Sequence, residues 1–137
     1  MALPASQASA LAGKGDSVIG WKLDREQRRE LLQQFPPRYR DVDADHVTLK
    51  TNAAADSALP EETLGEIVGR GDDGAGVEAM VVAIAGTTRR PDGSIYHITW
   101  SLGPGRKAQE SNKVLAARAW TELDLPMPVR LEPARWP

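Results

Sequence analysis

At 137 residues with 41% hydrophobic side chains, the chain is long enough for one domain with a modest core and too short for two. It has no cysteine, which excludes disulfide frameworks, thiolate nucleophiles, zinc fingers and iron–sulfur clusters. A formal net charge of −2 excludes the uniform basic field of a general DNA-coating or membrane-surface protein, and two histidines, His46 and His97, confine imidazole chemistry to two positions.

Residues 1–16 are rich in Ala, Ser and Gly, lack the basic start and apolar run of a secretory signal, and read as a flexible tail before a single domain over 17–137. Asp24 is placed to cap a helix over Arg25–Gln34, with Leu31, Leu32 and Phe35 as its apolar stripe and Pro36-Pro37 as its stop. Asp41, Asp43 and Asp45 mark a turn, after which His46-Val47-Thr48-Leu49-Lys50 alternates as a half-buried strand does, with Val47 and Leu49 toward the core. Residues 52–62 read as a surface loop leading to a strand over about 63–70. The turn signal Gly71-Asp72-Asp73-Gly74 precedes a nearly all-apolar strand over 77–87, and Pro91-Asp92-Gly93 a last meander strand over 95–102. In that strand Tyr96, Ile98, Trp100 and Leu102 share one face, while Ile95, His97, Thr99 and Ser101 share the other. Gly103-Pro104-Gly105 breaks it, a helix is expected over 107–120, and a short closing strand over 129–131. The expected class is α+β, with two principal helices on a mainly antiparallel sheet and a central cleft between the two His-bearing strands. The longest apolar run, near Met80–Ala85, is far short of the roughly 20 residues of a membrane span. A cytoplasmic monomer without membrane contact is therefore expected.

Both histidines lie in the pattern His-apolar-Thr-apolar: His46-Val47-Thr48-Leu49 and His97-Ile98-Thr99-Trp100. With Thr at about one position in twenty, both having Thr two residues on arises by chance in roughly one such chain in 400. On a strand, residues i and i+2 share a face, so each motif presents an imidazole and a hydroxyl together. One neutral imidazole can take a proton from water while a protonated one gives a proton to a leaving oxygen, and the hydroxyls can donate to phosphoryl oxygens. That set suits hydrolysis of a phosphodiester, a strained cyclic one above all, with no metal or cofactor. Lys50 and Ser101 continue the polar faces of the two strands, and Arg106 and Lys107 follow a glycine turn ahead of a helix, which makes these four second-tier substrate-binding candidates. Trp21 and Tyr39 are read as packing residues.

The paired motifs resemble the 2H phosphoesterases. Phe35-Pro36-Pro37-Arg38-Tyr39 leading to Asp45-His46-Val47-Thr48-Leu49, and His97-Ile98-Thr99-Trp100 followed by Lys107-Ala108-Gln109-Glu110-Ser111-Asn112, are similar to the cyclic phosphodiesterase domain of fungal and plant tRNA ligases and its bacterial RNA-repair relatives, over about residues 18–121. The resemblance implies that His46 and His97 act as general acid and base and that Thr48 and Thr99 hold the phosphate. It also implies a 2′,3′-cyclic phosphate on an RNA end or nucleotide as substrate, a 2′-phosphate product, and separate RNA-repair enzymes as partners. The alternative is a non-catalytic module that binds phosphorylated RNA ends or nucleotides.

Three letter matches are set aside. Gly69-Arg70-Gly71-Asp72-Asp73-Gly74 leads into a strand where a dinucleotide fingerprint would open a helix. The run Asp41, Asp43, Asp45 has His46 where a calcium loop needs glycine. Arg70-Gly71-Asp72 is read as a chance adhesion tripeptide.

Overall fold

A computed structural model describes residues 2–117 and 120–137. The chain does not begin as a tail. Strand β1 (Ala2–Leu3) pairs in parallel with β5 (Leu59–Pro60), and helix α1 (Ala5–Leu11) follows. Ala5 and Ala8 are buried because their small methyl faces fit against the main core, something an Ala/Ser composition hides from a reading by polarity. β2 (Lys14–Leu23) then turns Ile19, Trp21 and Leu23 inward.

Helix α2 (Arg25–Gln34) starts where Asp24 accepts a hydrogen bond from the Gln27 amide at 2.9 Å, and buries Leu31. Beyond it come β3 (Asp41–Val42) and β4 (His46–Ala53), with Val47 and Leu49 fully inside as the alternation implied. β6 (Leu64–Asp72), β7 (Val77–Ala83) and β8 (His97–Leu102) form the expected antiparallel meander. β7 stops at Ala83, earlier than expected, because Ala85 and Gly86 take positive φ in a turn. β7 reads as all-apolar because both its faces are covered: Met80 and Val82 enter the main core, while Ala79 and Val81 meet Leu115 on the other side.

Two expectations at the C-terminal side are corrected. The helix over 107–120 is a 3-10 turn (Ala108–Glu110) and a short α3 (Ser111–Ala116), with residues 118–119 outside the described chain. Trp120 opens a strand instead, pairing opposite Gly71 with its ring over Gly69, where any Cβ would collide with the indole. The short closing strand is in fact β9 (Trp120–Trp136). It pairs with β6 as far as Arg130 and with β2 from Leu131 onward, so each half has a single hydrogen-bonded neighbour in the sheet. Prolines 126, 128 and 133 are tolerated on that arrangement, and they conceal the strand in the sequence.

The strand order is β3-β8-β7-β6-β9-β2-β4, and the sheet curls around one apolar interior containing Trp21, Val47, Met80, Ile98, Trp100 and Leu131. Three helices, not two, accompany it among the described residues, and none is long and apolar enough to cross a membrane. The first and last strands of that order are consecutive in the chain. The amides of Asp43 and Ala44 continue the β3 ladder onto the carbonyls of Trp100 and Thr99, and the Asp45 carbonyl then receives the Leu23 amide of β2. One segment thus joins the two ends of the sheet.

Glu78, wholly buried on β7, binds this frame together: Arg70 donates to it at 2.7 Å, the Ser101 hydroxyl at 2.7 Å and the Arg38 amide at 3.0 Å. Replacing it by an uncharged isostere leaves Arg70 without its counter-ion. Glu78→Gln is expected to lower stability by about 3 kcal/mol in urea denaturation, and an unchanged midpoint would show that the ion pair carries none of the fold.

Candidate functional site

Because Val47, Leu49, Ile98 and Trp100 fill the interior, His46 and Thr48 on β4, and His97 and Thr99 on β8, stand on the outer face of the curled sheet. β4 and β8 are not hydrogen-bonded neighbours, and their inward residues Val47, Leu49, Ile98 and Trp100 belong to one apolar core. The closing segment 41–46 instead runs antiparallel along β8, from Asp41 opposite Leu102 to Ala44 bonded to Thr99. It therefore brings the start of β4 beside the start of β8, where the two histidines stand.

Each imidazole is anchored through Nδ1. His46 Nδ1 lies 3.1 Å from Asp45 Oδ2, and His97 Nδ1 lies 2.8 Å from the Ile95 carbonyl. Both partners are acceptors, so Nδ1 carries the hydrogen in each neutral ring and Nε2 keeps its lone pair. None of the described residues bonds either Nε2. The surroundings differ in charge. Burial would raise the Asp45 carboxyl, but hydrogen bonds and charge from Lys22 and His46 pull it down to about 2. Burial lowers the His97 pKa, opposed by the hydrogen bond to Ile95 and reinforced by the charges of Arg90 and His46.

Helix α2 holds the segment that carries His46. Arg28 donates to the carbonyls of Ala44 (2.7 Å) and Asp43 (2.8 Å), and Arg25 reaches the Asp45 carboxylate at 3.2 Å. Lys22 of β2 meets Asp45 at 2.6 Å, and its ammonium lies 4.5 Å from the centre of the Trp136 ring. That indole also packs on His46, with ring centroids 4.9 Å apart. Gly20 and Ala134, opposite one another in register, present only small groups on this face. A Cβ at Gly20 would collide with the Val47 carbonyl, so β4 can approach β2 this closely only beside a glycine. Thr48 is paired opposite Gly20, half-buried, with its hydroxyl unbonded among the described residues. Lys50 lies one step further along the same face.

The other candidates are placed differently. Thr99 is buried; its hydroxyl lies 2.9 Å from Ser111 Oγ and 3.3 Å from the Ala108 carbonyl, so it fastens α3 to β8 and has no free donor for a phosphate. Ser101 is wholly buried against Glu78. Arg106 pairs with Asp73 and Glu110 and braces the Gly74–Gly76 turn, away from the histidines, and Lys107 is an exposed residue beside it. Sequence reasoning missed Lys22, Asp45 and Trp136. Asp45 was readable as an acid beside a histidine, but Trp136 reaches His46 only through the β9–β2–β4 pairing.

In an NMR titration the His97 ring is expected to be the Nδ1–H tautomer and to protonate only below the ordinary value of 6.5. The unfolded chain then takes the proton first, so stability falls as pH drops below 6.5, and His97→Gln is expected to remove that part of the acid sensitivity. Protonation at or above 6.5 would contradict the burial described.

The chain matches no family model, and comparison with curated proteins and with solved structures finds no significant similarity.

Proposed function

We propose that the protein is a 2H-type phosphoesterase that hydrolyses a 2′,3′-cyclic phosphate at an RNA end or on a nucleotide, giving a 2′-phosphate. The observation that supports it best is the shared mounting of the two histidines: both stand on the outer face of the curled sheet, each is fixed through Nδ1 to an acceptor, and neither Nε2 is bonded by a described residue. His97, kept neutral by burial, is the base. It takes the proton of a water whose oxygen bonds to phosphorus, while the bond from phosphorus to the 3′ oxygen breaks and protonated His46, paired with Asp45, gives that oxygen its proton. Thr48 donates to a phosphoryl oxygen, and Lys22 adds positive charge beside it. Ring nitrogens and hydroxyls carry every step, so activity is expected to survive a chelator.

One observation favours the non-catalytic alternative: with Thr99 turned to Ser111, the site has one threonine hydroxyl for phosphate where the paired motif implies two. The assay separates the readings. With 2′,3′-cyclic nucleotides and a cyclic-phosphate-ended RNA, His46→Ala and His97→Ala, checked for folding by circular dichroism, are each expected to lose about 10²-fold or more in kcat/KM. The acid limb of the wild-type pH profile is expected below 6.5, because His97 must be neutral. Near-wild-type rates in either variant would overturn the mechanism, and tight binding of a 2′-phosphate-ended oligonucleotide without turnover would establish the binding module.

A further inference from the structure

Across the N-terminal segment from the meander lies a cleft of about 420 Å³. Pro4, Ile84 and Pro91 give it apolar walls, and Glu62, Arg90 and Tyr96 bring polar groups to it. Two of those groups each leave one polar atom without a partner. Glu62 accepts the Ala5 amide at 3.0 Å through Oε2, while Oε1 is buried without a partner. Arg90 is 8% exposed and reaches Asp92 at 2.7 Å through Nη2, while Nε is buried without a partner. No ion pair joins Glu62 to Arg90 among the described residues, so a negative acceptor and a positive donor line the same cleft without meeting. Leaving either unsatisfied is unfavourable, which is the condition an incoming ligand relieves.

The pair specifies the ligand's chemistry. A phosphate or carboxylate is repelled by Glu62 and finds Arg90 already paired with Asp92, while a simple amine suits Glu62 but is repelled by Arg90. A group with an N–H and a C=O side by side satisfies both, and apolar walls favour a flat ring. We propose that this cleft binds a planar lactam, with Glu62 Oε1 accepting from its ring N–H and Arg90 Nε donating to its carbonyl. Tyr96 adds a neutral hydroxyl: burial pushes its pKa up to about 12, with Glu62 and Asp92 acting in the same direction and Arg90 against. Its ring is held edge-on to Trp21 at 5.8 Å. Choosing uracil or guanine as the lactam rests on the RNA-end reading; the cleft's need for a donor beside an acceptor does not.

The probes are nucleosides, which carry no phosphate. In calorimetry with the full chain, uridine or guanosine is expected to bind, and 3-methyluridine or 1-methylguanosine, with the ring N–H blocked, at least about tenfold more weakly, the loss of one hydrogen bond to a charged group. Glu62→Gln, which keeps the acceptor for Ala5 but turns a donor toward the cleft, is expected to abolish that discrimination. Nucleosides that do not bind, or methylated forms that bind equally, would overturn the proposal and leave water as the occupant. Discrimination without cyclic-phosphate hydrolysis would sustain the lactam site and sink the enzymatic reading; hydrolysis without discrimination would do the reverse.

Discussion

Glu78 is the constraint on which the placement of everything else depends. A carboxylate this deep is tolerable only if its oxygens are fully bonded, and the partners come from three separate stretches of chain. Arg70 ties it to β6, Ser101 ties it to the strand that bears His97, and the Arg38 amide ties it to the segment that leads through β3 to His46. Arg70 also donates to the Pro36 carbonyl, and the Trp100 indole to that of Phe35, so the exit from α2 is gripped from two sides. The two histidine strands are held relative to each other by a group that touches neither histidine.

Elements with a clean period were legible in the sequence. The Asp24 cap and Leu31 announced α2, the two-residue alternation at Val47 and Leu49 announced β4, and Ile98 with Trp100 announced β8. Elements whose reason lies far away in sequence were not. β9 carries three prolines and becomes a strand only because β6 and β2 take opposite halves of it. α3 ends early because Trp120 has a place over Gly69, and the N-terminal alanines are buried because something small is required there. The same division runs through the candidate site. The two His-x-Thr motifs were visible as a pair, but equal spelling did not give equal environments: Thr48 faces a glycine and stays open, while Thr99 faces a helix and is used up.

The environments of the histidines also differ, and a two-histidine mechanism needs that difference. Identical imidazoles would titrate together and oppose a division into donor and acceptor. Here one ring leans on an ionised carboxylate and an indole, and the other on a peptide carbonyl in a more buried place. The asymmetry arises from the fold, since Asp45 belongs to the closing segment while Ile95 belongs to the meander hairpin.

The segment that closes the sheet, residues 41–46, answers to β8 at one end and β2 at the other. Proximity of the histidines is therefore a property of closure and not of either strand. A form in which the segment detached from β8 would retain both strands and most of the apolar interior, yet its imidazoles would be independent. Whatever the site does is thereby coupled to the hold that the segment keeps on both ends of the sheet.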